Sequence, residues 1–353
     1  MFKLLLQFTI NLICLKRSKK VRSNKLTKII ITSTLALSLL AVPVSQATVL
    51  AAETTSESTS SSSTTQTHTL NKSYVVYGAG AAEKNELNNV LAVDDNFTTL
   101  TATASDYQKY INPNGSTTNA AMVSSVAIVP TDPGSGIKVN VKKFNGEDNI
   151  TKVTAQQYAM VAQMAGVTDV TITVSANRAV SGESALTGVY KAIAADGVSL
   201  NEQNTQSANQ MLTATNGAIE ANKDDSKYPG KLMAAVGDTT KEINQQKKQG
   251  TTPTQNQIQV IFNQKLEERN IYNETKNHEQ PIINALVQFN NAPISSSKDY
   301  SSHVTDTINN VKNSSGDMMN KAKKFLNSQD GQAVKQQAQS WWTRFVNWIR
   351  SWF

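Results

Sequence analysis

Cysteine is all but missing from this 353-residue chain, and the single copy, Cys14, falls in an N-terminal segment with the layout of a peptide removed on export. Downstream of that segment there is no thiol, which excludes a disulfide framework, a thiolate metal site and a cysteine nucleophile. Histidine is scarce too. His68, His278 and His303 are scattered, and none stands at metal-ligand spacing from another His, Asp or Glu, so a histidine-based zinc site or catalytic triad is not expected. No metal or cofactor is expected. Long apolar runs are also lacking: the longest, Ile29 to Val44, is shorter than the ~20 residues that cross a bilayer. Acid is absent from residues 1–28, which hold eight of the 34 Lys and Arg. Without them, 26 basic residues face 27 acidic ones, so the formal charge of +7 does not describe the remaining chain and a role in binding nucleic acid loses its support.

What is present begins with an export layout. Basic residues up to Lys28, the Ile29–Val44 run and small residues around Ala47 to Ala52 read as a cleavable signal over 1–52. Residues 53–72 form a Ser/Thr-rich spacer with too little apolar surface to offset chain entropy. Cleavage is expected between Ala47 and Ala52.

Residues 73–198 read as an α+β domain, a small mixed sheet with amphipathic helices. The clearest part runs from Val153 to Gly197. Thr154 stands as an N-cap before Tyr158, Val161, Ala162 and Ala165, which share a helical face, and Val170, Ile172 and Val174 then alternate with polar residues as in a half-buried strand. Ser181-Gly182 opens a second helix bearing Leu186, Val189, Tyr190 and Ile193, closed by Gly197. Upstream, strands are expected at Tyr74–Tyr77, Phe97–Ala102, Met122–Val129 and Ile137–Val141, with a helix carrying Leu87, Val90 and Leu91 and a helical turn from Asp106 to Ile111. The last two strands suit a hairpin across the Pro133-Gly134 turn. Helix followed by strand occurs twice, so a duplicated unit is one expectation. The domain is expected to fold without the rest of the chain.

Tyr77-Gly-Ala-Gly80, Ser124-Ser-Val-Ala-Ile128, Gly134-Ser-Gly-Ile137, Ala165-Gly-Val-Thr-Asp169 and above all Val180-Ser-Gly-Glu-Ser-Ala-Leu-Thr-Gly188 resemble the YpuA-like family of secreted Firmicutes proteins. That family is a domain of unknown function, so the resemblance implies an architecture and an exported address but no reaction. Asn177-Arg178 precedes the motif where relatives often carry proline. The motif turn, Ser181, Gly182, Glu183, Leu186, Thr187 and Gly188, is a candidate site. Glu183 beside Ser181 and Ser184, with Lys191 two turns on, is the best arrangement for an enzyme acting on wall material. The same residues equally suit a helix start, the hydroxyl capping free N–H groups and the acid meeting the positive end of the dipole.

Residues 199–330 turn rich in Asn, Gln and Lys and read as all-helical: Asn209–Ala221, Leu232–Gln246, Gln255–Thr275 and Ile282–Asn290, punctuated at Tyr228-Pro-Gly and Gln280-Pro281, with Ser295–Ser315 a loose helix or linker. Residues 331–353 read as an amphipathic helix. Trp341, Trp342, Phe345, Val346, Trp348, Ile349, Trp352 and Phe353 make one broad face, Arg344 and Arg350 lie opposite, and all four tryptophans of the chain are here. Such a helix suits a membrane surface or an envelope protein as partner. The reading as a whole is an exported, non-enzymatic binding module, with a hydrolase using Glu183 or a membrane-active protein as the alternatives.

Overall fold

In the computed structural model of the chain, residues 67–313 are described, and they fall in one compact unit. The strands are β1 (Tyr74–Gly78), β2 (Thr98–Ala102), β3 (Ser125–Pro130), β4 (Ile137–Val141) and β5 (Val170–Ser175). The helices are α1 (Lys84–Leu91), α2 (Ala104–Tyr110), α3 (Ala155–Met164), α4 (Glu183–Ala195), α5 (Glu202–Ala221), α6 (Tyr228–Lys248), α7 (Gln255–Glu267), α8 (Tyr272–Thr275), α9 (Glu279–Asn291) and α10 (Tyr300–Asn313). The protein is α+β: a mixed five-stranded sheet with helices, continued by a helical C-terminal region.

The strands are ordered β2-β1-β3-β5-β4. β1 pairs with β2, and β5 with β4, in parallel, whereas β3 runs antiparallel to both of its neighbours. The expected β3–β4 hairpin is therefore absent, because β5 lies between the two. Burial explains the choice. β5 hides Val170, Ile172 and Val174 completely and needs neighbours on both sides, while β4 exposes Lys138 and Asn140 and suits an edge.

The two faces of the sheet carry different cores. Val75, Tyr77 and Ala127 meet Leu87 and Leu91 of α1 and Phe144 on one face. The alternate positions Tyr74, Val76, Val126, Ile128, Ile172 and Val174 point the other way, into a core that includes α3, α4 and the C-terminal helices. The two helix-strand units thus differ: α1 and α3 sit on opposite faces, so the expected duplication is not reproduced in the packing.

Local signals in α3 act as the sequence suggests. Thr154 accepts the Gln157 N–H at 3.2 Å, and the Gln157 side chain returns to the Thr154 N–H at 3.1 Å. The helical half departs from expectation in three places. Tyr228-Pro229-Gly230 is the first turn of α6, where proline replaces an N–H that would have no partner, and Pro281 is likewise inside the first turn of α9. The helix expected over Gln255–Thr275 breaks, with Asn270 at φ 53° between α7 and α8. Of the two readings of Ser295–Ser315 the helix is the one found, but it is not loose: α10 buries Tyr300, Val304, Ile308 and Val311. At the other end, His68, read from sequence as spacer, donates its N–H to the Gly166 carbonyl at 2.7 Å and accepts from Thr168 at 2.9 Å.

Candidate functional site

Because β1, β2, β4 and β5 run one way and β3 the other, the carboxyl ends of four strands and the start of β3 share one border of the sheet. In open sheets that border is where connecting loops and helix N-termini gather polar groups. Here it holds the starts of α2 and α4, and with them Asp106, Tyr107, Ser124 and Glu183.

The start of α4 is built differently from the simple cap that the sequence suggests. Gly182 occupies the N-cap at φ 105°, and a β-carbon there would stand 2.5 Å from the Tyr158 hydroxyl, so glycine is required on both counts. Tyr158 donates that hydroxyl to the Gly182 carbonyl at 2.5 Å. Ser181 gives only a 3.5 Å contact to the Glu183 N–H, at the outer limit of a hydrogen bond. The effective cap comes from another element: the Ser124 hydroxyl, just ahead of β3, accepts the Ala185 N–H at 2.9 Å, and the Ser184 hydroxyl donates to the Ser124 carbonyl at 3.0 Å. Ser124 has no sequence signal pointing to α4, sixty positions away. Leu186 is fully buried, Thr187 donates its hydroxyl to the Glu183 carbonyl at 3.2 Å, and Gly188 lies against β1 and β3.

Glu183 keeps part of its surface in solvent, but its carboxylate is enclosed, and burial raises its pKa above the usual 4.5. The Lys152 charge and the Tyr107 hydroxyl, which donates to Oε2 at 3.4 Å, pull the other way without cancelling it. Tyr107 is itself buried, and burial followed by the Glu183 charge raises its pKa in turn. Lys191, two turns along α4, does not reach Glu183; it pairs with Asp106 at 2.7 Å. Asp106 also accepts the Thr103 N–H at 2.8 Å while the Thr103 hydroxyl accepts the Asp106 N–H at 3.3 Å, which closes a capping box on α2. Burial works to raise the Asp106 carboxyl, but Lys191 and Thr103 outweigh it and hold the group below its usual 3.8.

That geometry sets an expected result. Asp106→Ala removes the side-chain half of the α2 capping box, leaves the Thr103 hydroxyl bond in place, strands Lys191, and costs about 1–2 kcal/mol. Thermal unfolding checks it. A carboxylate with a lowered native pKa contributes stability above its unfolded value and loses it as pH falls through the native one, so the gap between variant and parent closes below pH ~4.

Neither of two surface depressions of about 300 Å³ is lined by Glu183; one runs along β4 and the other lies between α6 and α7. Among the described residues no three His, Cys, Asp or Glu side chains gather as a metal site would need, and no helix is long and apolar enough to cross a membrane. Trp341, Trp342, Arg344, Phe345, Val346, Trp348, Ile349, Arg350, Trp352 and Phe353 lie outside the described residues, as does the signal read over 1–52.

Residues 77–307, well over half the chain, match the family described as "Protein of unknown function (DUF1002)". The chain belongs to that family. It is also 32% identical over 147 residues to "Uncharacterized protein YpuA" of Bacillus subtilis (strain 168), an alignment that covers 40% of this chain and 48% of that relative. The chain thus spans about half the length of the curated relative it matches. No solved structure matches.

Proposed function

We propose that this member of the family is an exported cell-envelope protein that works by binding, without catalysis, and that its 331–353 segment docks on a membrane surface or an envelope partner. The observation that carries the binding reading is the engagement of the polar groups around Glu183. Asp106 and Lys191 hold α2 to α4, Ser124 and Ser184 start α4, Tyr158 fixes the Gly182 turn, and Tyr107 answers Glu183. Each is occupied in building the fold. A hydrolase would need an acid and a base or nucleophile facing a space for substrate. Export is supported by the basic, apolar and small-residue order of residues 1–52, and docking by the aromatic face of Trp341 to Phe353.

The test uses the full chain with Gram-positive envelope fragments and, separately, with anionic vesicles. Retention by Glu183→Gln stays within a few-fold of the parent, whereas Trp348→Ser with Ile349→Ser loses vesicle binding. Release of soluble wall fragments by the parent and not by Glu183→Gln overturns the proposal. Stability gives a second reading of the same variant. A carboxyl with a raised native pKa contributes most below its unfolded value, and the contribution falls as pH rises from about 4.5 through the native value. Glu183→Gln therefore flattens that slope and gains on the parent toward neutral pH, as melts from pH 4 to 8 will register.

A further inference from the structure

The geometry points to the free edge of β4 as a docking groove for an extended acidic peptide, an inference that names a partner class for the binding module and rests on that reading. The Lys142 N–H bonds to the Val174 carbonyl of β5, so by the alternation of a parallel strand 138, 140 and 142 face β5, while 137, 139 and 141 turn their N–H and C=O groups outward. α10 already answers the first of these as a paired strand would: the Thr307 hydroxyl accepts the Ile137 N–H at 3.0 Å and Asn310 Nδ2 donates to the Ile137 carbonyl at 3.0 Å. Val139 and Val141 continue the edge, and no described strand pairs with them.

Beside that edge runs a depression of about 300 Å³ in which Val139, Ala155, Ala159 and Val311 give an apolar part and Gln156 and Asn310 a polar one. Two outward N–H and two C=O groups at strand spacing, next to a socket for one apolar side chain, are the requirements of an added β-strand. Charge selects the peptide. Among the described residues Lys138 is the single charged one lining the groove, and Lys142 is exposed farther along the same strand face. A second copy of this chain fits poorly. The two-fold register that uses both Val139 and Val141 sets Lys138 of one copy opposite Lys142 of the other, and like charges facing each other across a sheet repel.

The probe is a fluorescein-labelled nonapeptide of alternating Glu and Val, with the same peptide N-methylated at every second residue as control, titrated into the full chain. The parent gives a saturable anisotropy rise that weakens with salt, and the N-methylated control gives none. Val139→Pro removes an outward N–H while sparing the β5 ladder and weakens binding about tenfold or more; because the Val139 side chain also packs against the core, this variant melts somewhat earlier, and Lys138→Glu, which touches no core contact, weakens binding about fivefold with melting unchanged. Hydrogen exchange on the full chain gives an independent reading: the Val139 and Val141 amides exchange rapidly alone and are protected by peptide. Binding indifferent to both Val139→Pro and N-methylation overturns the groove. So does protection of those amides before peptide is added, which means that a second copy (if concentration-dependent) or another segment of the chain fills the edge. Envelope retention that survives in Val139→Pro removes the groove while leaving the binding module standing.

Discussion

A chain that ends at Ser297, losing α10, unfolds without a cooperative transition. The helix lies between the β4 border and α6, and glycines let it approach on both sides: a β-carbon on Gly136 would stand 2.5 Å from the Thr307 nitrogen, and one on Gly237 2.6 Å from Ile308. It buries Tyr300, Val304, Ile308 and Val311 and sets the Tyr300 ring against Phe289, centroids 5.2 Å apart and planes tilted by 44°. At ~1.5–3 kcal/mol for each large apolar side chain, this amounts to roughly 6–12 kcal/mol, comparable with the ~5–15 kcal/mol that holds a whole domain folded. The polar contacts add to it, since Thr307 also donates to Gln163 Oε1 at 2.8 Å inside the core. Ending the chain at Gly197 has the same outcome, because residues Gln156 to Met164 of α3 are all buried and much of that cover comes from later helices. The continuous core thus predicts the opposite of the independent α+β domain that composition suggests. Urea melts followed by near-ultraviolet circular dichroism decide it: a sharp transition in either shortened chain refutes the shared core, and full-length Gly237→Val, which crowds Ile308 and Met160, should still melt sharply but earlier.

The elements legible in the sequence are those whose signals are local. Thr154 with Gln157, the alternation of Val170, Ile172 and Val174, and the turn at Gly182 each rest on neighbours a few residues away, and α3, β5 and α4 lie where those signals put them. Partnership was not legible. Pro133-Gly134 proposes a hairpin on turn chemistry alone, but the strand with the greater need for burial, β5, takes the inner place and leaves β4 at the edge. The polarity of Ser295–Ser315 concealed how closely α10 packs; its Thr307 and Asn310 are polar because they face backbone groups of Ser135 to Ile137 rather than water. Pro229 and Pro281 read as breaks, yet each stands in a first turn, the one part of a helix that tolerates proline. At the candidate site Glu183 was visible, whereas Ser124, Tyr107 and Asp106 reach it or its helix across long sequence separations, and no spacing rule finds them.

Gly188→Val unfolds the protein or nearly so, and this separates packing from chemistry in the most specific motif of the chain. Gly188 lies on α4 where the helix crosses β1 and β3; a β-carbon there would meet Val126 Cγ1 at 2.7 Å and Val76 Cβ at 3.1 Å. Both neighbours belong to the central strands and sit at 0–1% exposure, so neither side chain has space to retreat into. Alanine at this position would gain ~1 kcal/mol of helix propensity, but pushing α4 off the sheet costs more, about 1–3 kcal/mol net. Valine adds two methyl groups to the same contact and a stiff χ1, and its cost of about 4 kcal/mol or more approaches the whole stability of a marginal domain. Leu186, also on α4, is fully buried, and Gly182 is fixed by Tyr158, so the Ser181-to-Gly188 string is held largely by how closely a helix must lie on a sheet. Glu183 is the exception, since its carboxylate completes no cap. The paired measurement is chemical denaturation of Gly188→Ala and Glu183→Gln at pH 7: the glycine variant loses stability and the glutamine variant does not. Equal losses in the two would mean that the Glu183 carboxylate, against its raised pKa, helps hold α4 in place.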